Sequence, residues 1–405
     1  SYDNIIIGSG ITGLTIAKLL NNKNEDYLII DKNNSVGGKL STENHLGYEL
    51  DCGFQILLED YPNLKIFPEI YNLESKRLSS GFITIKQENF YKILNPFKNI
   101  KGLSPANTFP GFTLKDKYLL LKLIILNKKY KHKEIHLKDV LKNFAFSNTF
   151  IKNFVVSFFP GVFLSKDLNV PLKYFLFIFS LFSKSNVSIP INGIGQIAKN
   201  IASLLDSSKI IFNKEIINIG INSIKTKDGD SFNFKNLYCT DPKIEKLINK
   251  ELNQEFFKDI TYNGTQCFYF ISDMVDINED FIYLFPDSNN ITNIYFKKAS
   301  QNKLLVSVSS LSMEVSKNTI EKEILGYFSS MKNIRFLNSY KIPDALPSNP
   351  KFFNFQEKSF YKYNNNIYFA GDYLSSPCLD GAIQSGINLV ESLRKGGLYY
   401  FFILT

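Results

Sequence analysis

Two hydrophobic rhythms alternate along this chain, and its opening stretch shows both. In "YDNIIIGSGITGLTIAKLL" an apolar run at Ile5 to Ile7 stops at a glycine turn, after which apolar residues return at helical spacing. The pattern predicts a strand buried on both faces, a tight turn and a helix packed back on the strand. "DYLIID" predicts a second buried strand, and "GYELDCGFQIL" alternates with the two-residue period of another. Further on, "KIIFNKEIINIGINSIKTKDGDSFNFKNLYCTD" alternates around "KDGD", a hairpin turn; "TQCFYFI" and "KLLVSVSS" read as strands, "TIEKEILGYF" as a helix and "DSNNITN" as loop. Close to the other end, "IYFAGDYLSSPCLDGAIQSG" places a short apolar strand, a Gly-Asp pair, a small loop and a helix that opens at Gly381 and Ala382. The mixture predicts an α/β chain, and no internal repeat is visible.

Composition narrows this only a little. At 405 residues the chain exceeds one simple core and implies two or three lobes. Its 44% apolar and 21% charged residues exclude a wholly disordered polymer. Cys52, Cys239, Cys267 and Cys378 form no CxxC, so neither a zinc site nor a disulfide framework is signalled, and a reducing compartment fits best. No charged-then-apolar leader precedes Tyr2, so a signal peptide is not expected. A net charge of +9 admits nucleic acid, an anionic membrane or acidic substrates as partners. The lysines are scattered rather than set in an aromatic-interleaved stripe, which argues against nucleic acid. The runs "YLLLKLIIL" and "YFLFIFSLF" are shorter than the roughly 20 residues a bilayer span requires. They read as buried helices, with contact at a membrane surface as the competing reading. A cytoplasmic location is expected, peripheral attachment to a membrane being the alternative. The apolar tail 398–405 receives no structural assignment.

Chemistry enters at the first glycine turn, Gly8-Ser9-Gly10-Ile11-Thr12-Gly13. In a dinucleotide fold the first glycine makes the turn, the second lets backbone approach a pyrophosphate, and the third lets helix and strand pack closely. The phosphates then sit on the free N–H groups and positive end of the helix. Asp31, ending the second strand, stands 18 residues past Gly13, where a carboxylate accepts both hydroxyls of an adenosine ribose and repels a 2′-phosphate. Strand, turn, helix, second strand and acid in register form a stronger signal than a lone GxGxxG. Lys32 follows. Gly37-Gly38-Lys39 then occupy the spacing of the Gly-Gly-Arg or Gly-Gly-Lys element of FAD enzymes of the glutathione-reductase type, where paired glycines allow close approach and the cation helps hold the diphosphate. Gly53, Phe54 and Gln55 end the next strand and complete the candidate contacts from this half.

"IIIGSGITG", "DKNNSVGGKL", "LDCG" and "IYFAGDYLSSPCLDGAIQSG" stand in the order found in the flavin-containing amine oxidoreductase superfamily, which the chain resembles nearly end to end. That superfamily includes monoamine oxidases, protoporphyrinogen oxidases and phytoene desaturases. The resemblance implies a Rossmann-like FAD lobe of the glutathione-reductase type, assembled from about 1–75, 186–255 and 350–397. An α+β substrate lobe would come from 76–185, largely helical, and 256–349. It also implies that Asp372 holds the ribityl chain, with Gly371 beside it in the cofactor site, that the helix start at Gly381, Ala382 and Ile383 faces the isoalloxazine, and that the backbone of Ile216 pairs with adenine. A helix N-terminus there stabilises the negative charge of reduced flavin.

Departures from the family pattern separate its branches. Gln266 stands on the strand where monoamine oxidases place a lysine near the flavin, and Cys378 where they place a cage tyrosine. Both are wall candidates; no side chain is assigned a catalytic role. No cysteine precedes the final strand where a covalent flavin link would lie, so the FAD is expected to be noncovalent. "GDYL", "DALPS" and "FFPGVFLSKDL" are closer to desaturases and protoporphyrinogen oxidases. A second formal fingerprint, Gly193-Ile194-Gly195-Gln196-Ile197-Ala198, is rejected as a nucleotide site because Pro190 stands where a central parallel strand should run. His45, His132 and His136 read as surface residues, and no metal cluster or triad is apparent. The expected function is hydride removal from a C–C or C–N bond of an extended apolar substrate, with oxygen or a quinone as electron acceptor. The alternatives are a redox-neutral polyene isomerase, an amine oxidase and a flavin-binding protein without turnover.

Overall fold

The computed structural model describes residues 1–86, 89–95, 98, 113–126, 135–248, 255–348 and 359–394. Its first lobe is a parallel sheet ordered Ile210–Ile211, Tyr27–Ile30, Tyr2–Ile7, Ser231–Cys239 and Ile367–Ala370. Alternation within each strand supplies two cores. Ile6, Ile29, Tyr238 and Tyr368 face one side, where they pack with helices Ile11–Asn21 and Leu379–Arg394. Ile5, Ile7, Leu28, Ile30, Leu237 and Phe369 face the other. Burial on both faces is what the unbroken apolar runs predict. Ser231–Cys239 serves two sheets: its first residues pair antiparallel with Ser223–Thr226, and the rest join the parallel sheet beside the first strand. The intervening turn lies at "KDGD", with Gly229 at φ +94°.

The second lobe is a seven-stranded sheet ordered Arg335–Pro347, Tyr262–Asp273, Lys303–Ser310, Asn293–Ser300, Ile282–Leu284, Gly81–Lys86 and Asn89–Leu94. Phe268, Phe270, Ile294, Phe296, Val306 and Val308 cover one face together with Ile320 and Ile324 of helix Lys317–Tyr327. Residues of opposite parity look toward the first lobe, where Cys267 and Tyr269 pack with Leu50. The segment 76–185 thus opens with two strands of this sheet before it becomes helical, whereas the sequence reading makes it largely helical. Its strands escape notice because "GFITIK" and "NFYKIL" are short and only their pairing decides between strand and loop.

Helices Leu114–Leu126, Val156–Phe163 and Leu172–Lys184 pack through Leu120, Leu123, Phe159, Phe163, Phe175 and Phe179. The second apolar run is therefore buried in the lobe. The first is split: Leu120 and Leu123 are buried, but Leu114, Tyr118, Leu121 and Ile125 are 55 to 85% exposed along one face. Among the described residues no helix is long and apolar enough to cross a membrane. The tail 398–405, His132 and residues 349–358 of the approach to the final strand lie outside the described residues.

Candidate dinucleotide cradle and apolar cavity

The glycine turn at the N-terminus is built for close approach. Gly8 has φ +101°, and a Cβ on Gly13 would stand 2.0 Å from the Gly8 carbonyl oxygen, so helix and strand touch only because Gly13 lacks one. Around Gly10 there is room: its nearest neighbour to such a Cβ is the Gly37 oxygen at 3.8 Å. The first N–H groups of the following helix, at Ile11 and Thr12, find no acceptor among the described residues. Together they leave an anion-accepting helix end beside open space.

Asp31 is buried, and its carboxylate accepts from Ser9 N (2.6 Å), Ser9 Oγ (2.6 Å) and Asn33 N (2.8 Å). Three bonds leave about one of its four lone-pair positions for a ligand hydroxyl. Ser9 works by fixing this acid and does not itself line the cavity. The Gly-Gly element docks on the same turn: Gly37 N donates to Ser9 O, and a Cβ on Gly38 would lie 3.4 Å from Gly10 Cα.

The two ends of the chain meet here. Lys39 Nζ pairs with Asp372 Oδ2 at 2.9 Å, and Thr12 Oγ1 donates to the Ala382 carbonyl at 3.1 Å. Gly386 lets the terminal helix approach Thr12 and Thr15. Asp380 accepts from Asn63 N and Nδ2, and burial raises its carboxyl above the usual range despite those bonds. Cys378 stands just before the helix start, where burial pushes its thiol far up, so it is neutral packing.

A cavity of about 1020 Å³ runs from this cradle into the second lobe, at the upper edge of the roughly 300–1,000 Å³ of small-ligand pockets. Gly8, Gly10, Thr12, Asp31, Lys32, Gly38, Lys39, Gly53, Phe54, Gln55, Ile216, Asp372, Cys378 and Ala382 line it. Gly13, Gly371, Gly381 and Ile383 do not: Gly13 and Gly381 permit backbone contacts behind the wall, Gly371 makes room for the Tyr373 ring, and Ile383 is fully buried in the core. Gln266 is a correction. Its neighbour Thr265 lines the cavity, so the strand's alternation turns Gln266 to the opposite face, that of Phe268 and Phe270. Applied to "GTQCFYF", the same two-residue period could have placed Thr265 and Cys267 on one face.

Tyr373 was also missed. It lines the cavity next to Asp372, and its buried hydroxyl has no hydrogen-bond partner among the described residues. An orphaned hydroxyl, an open helix end and a partly satisfied acid at one place fit a bound diphosphate and ribose. Beyond them the walls turn apolar, with Phe82, Phe154, Phe158, Phe179 and Phe182 against Ile282 and Leu284 of the sheet. Among the described residues no group of three or more His, Cys, Asp or Glu is arranged to hold a metal.

The rejected second fingerprint lies elsewhere. Its preceding strand, Val187–Pro190, belongs to a small antiparallel sheet with Leu57–Leu58 and Ser75–Arg77. Asp51 Oδ1 and Thr42 Oγ1, each 2.8 Å away, accept from Ile194 N and Gly195 N.

Comparison with known proteins agrees with this geometry. A family model described as an NAD(P)-binding Rossmann-like domain matches residues 6–68. A 4,4'-diaponeurosporene oxygenase of Staphylococcus haemolyticus is 28% identical over 113 residues, which are 26% of this chain and 22% of that protein. The match thus spans about a fifth of the relative's length. Putrescine oxidase bound to putrescine superposes with a TM-score of 0.73 at 13% identity, covering 97% of this chain and 99% of that one. A putative protoporphyrinogen oxidase from Exiguobacterium sp. 255-15 gives 0.69 at 14% identity, covering 98% and 99%. Along nearly its whole length the chain therefore has the fold of these two structures.

Proposed function

We propose that the chain is an FAD-dependent oxidoreductase that removes a hydride from a C–C or C–N bond of an extended apolar substrate and delivers the electrons to oxygen or a quinone. The observation that carries this reading is the continuity of one cavity, a dinucleotide cradle at one end and aromatic walls at the other. Bound FAD supplies the redox chemistry, accepting the hydride and passing its electrons on. The protein's part is to hold and exclude. Asp31 takes the ribose, the N–H groups at Ile11 and Thr12 take the diphosphate, and Lys39 with Asp372 closes the cradle between the chain ends. Phe154, Phe158 and Phe182 keep water from the reacting bond. A cavity wall that offers Thr265 and a neutral Cys378 favours a hydrocarbon over an amine substrate.

Acid precipitation of the purified protein releases yellow FAD into the supernatant on this reading; a protein that is colourless and cannot be reconstituted overturns it. Anaerobic mixing with a substrate then bleaches the flavin. Activity seen only after prior reduction would instead assign a redox-neutral isomerase, and rapid stoichiometric reduction by NADPH alone would revive a second nucleotide site.

The apolar substrate reaches this cavity from an anionic membrane surface. Leu114, Tyr118, Leu121 and Ile125 form an exposed stripe on one helix, flanked by exposed Lys115 and Lys122. Each cation near such a surface contributes about 1 kcal/mol, which gives salt-sensitive, reversible attachment. Cosedimentation with anionic but not neutral liposomes, weakened by salt, is expected; failure to bind either at any salt removes the membrane from the reading.

A further inference from the structure

The wall of the cavity formed by the seven-stranded sheet carries a buried amide that no described residue answers. Register places Cys267, Ser309, Asn293 and Leu284 side by side across four strands, and the last three line the cavity. Asn293 is 8% exposed, and its carboxamide makes no hydrogen bond with any described residue. The neighbouring Thr265 hydroxyl, by contrast, is already committed to the Ser310 carbonyl at 2.9 Å. Opposite Asn293 stands Gly161, on which a Cβ would lie 3.3 Å from Asn293 Nδ2. Gly161 therefore leaves the amide its place against a helix whose other cavity residues, such as Phe158, are apolar.

A buried amide without partners is costly, about 1–3 kcal/mol per unsatisfied group, unless something outside the chain satisfies it. Its row and its facing wall bring no carboxylate, so a neutral group fits there better than an ammonium. We infer that Asn293 is the polar anchor of the substrate cavity, and that the apolar substrate carries, at the end bound there, a hydroxyl or carbonyl oxygen that hydrogen-bonds the Asn293 carboxamide. Since an amide offers both donor and acceptor, either oxygen function satisfies it. This assignment rests on reading the aromatic-walled end of the cavity as the substrate site, and it makes Asn293 a residue of substrate choice rather than of chemistry.

The test is equilibrium dialysis of the purified protein against radiolabelled octan-1-ol and octane, which differ in one oxygen. The wild type should bind the alcohol about tenfold tighter, the ratio that one well-made hydrogen bond gives at its upper range. Asn293→Leu, close in volume, should abolish the preference while keeping or improving octane binding. Equal binding of the two by the wild type, no binding of either, an intact preference in Asn293→Leu, or equal losses for both ligands in that variant would each overturn the assignment. Should Asn293→Leu fail to fold, Gly161→Ala presses on the same amide and should cut the preference severalfold; a preference that survives it unchanged overturns the assignment equally. Dialysis does not depend on flavin colour, so a colourless protein that still discriminates between the two ligands would defeat the FAD reading and leave the anchor standing.

Discussion

Two glycine turns in this chain open helices with almost the same formal pattern, and they end in opposite ways. At Gly10 a side chain would meet nothing closer than 3.8 Å, and the helix end beyond it faces a cavity. At Gly193 a side chain would run into Thr42 at 2.4 Å and Asp51 at 2.6 Å, because those two residues already occupy the helix end and take its N–H groups. Glycines in the first turn make room for a ligand; in the second they make room for the protein itself. A glycine pattern therefore reports close approach, and what approaches is decided by the strands that arrive from elsewhere.

The largest effect should come from closing the open turn. Gly10→Val should weaken FAD binding by roughly fivefold to a hundredfold, as overpacking of about 1–3 kcal/mol falls on the ligand alone, while the melting temperature of the flavin-free protein barely moves. Gly193→Val should do the reverse. With φ at +83° and three contacts below 3 Å, it should lose about 2–3 kcal/mol of stability yet retain one flavin per folded chain, read by denaturant unfolding and visible absorbance. If both variants lost flavin equally, the contrast between the turns would be broken.

Smaller changes sharpen it. Lys39→Met removes the pair with Asp372 that joins the chain ends, and should weaken FAD by about tenfold in a flavin titration. Because the lysine is 44% exposed, the stability of the flavin-free protein should change little. Thr42→Ala removes a cap of the second turn's helix and a hydrogen bond to Asp51, and should cost about 1 kcal/mol in denaturant unfolding, leaving flavin affinity unchanged.

The smallest expected effect concerns pH. Burial raises the Asp51 carboxyl above its ordinary value, outweighing the opposing hydrogen bonds from Thr42 and Ile194. The folded state therefore binds this proton more readily than the unfolded chain, and stability falls as pH rises through the folded-state pKa. Acidifying the wild type toward the ordinary carboxylate value should recover stability that Asp51→Asn, neutral throughout, neither loses nor regains. Parallel melting curves for the two proteins across that window would contradict this.

How much was legible beforehand differs between the two lobes for one reason. The first strand, the glycine turn, Asp31 and the closing Gly-Asp and Gly-Ala pairs are local signals, each readable within about 20 residues because dinucleotide chemistry constrains backbone spacing. The walls of the second lobe obey no such motif. Gln266 was preferred to Thr265 because sequence position was read without the strand's parity, and Asn293 was hidden at the end of "DSNNITN", which reads as loop until its pairing with Ser309 makes it the start of a strand. The hairpin at 81–94 was passed over for the same reason, since its strands are defined by the sheet they join.

The parallel α/β lobe and the glycine-marked turns at both ends of the chain follow from the sequence, because short-range periodicity and glycine spacing leave few alternatives for the backbone. Only the tertiary structure decided which glycine turn stayed open, which face of each sheet strand became cavity wall, and that the cradle runs on into an aromatic chamber containing an unanswered amide. These depend on contacts between residues hundreds of positions apart, such as Lys39 with Asp372 and Thr12 with Ala382. No local pattern encodes such contacts, because their energy is realised only when packing brings the segments together.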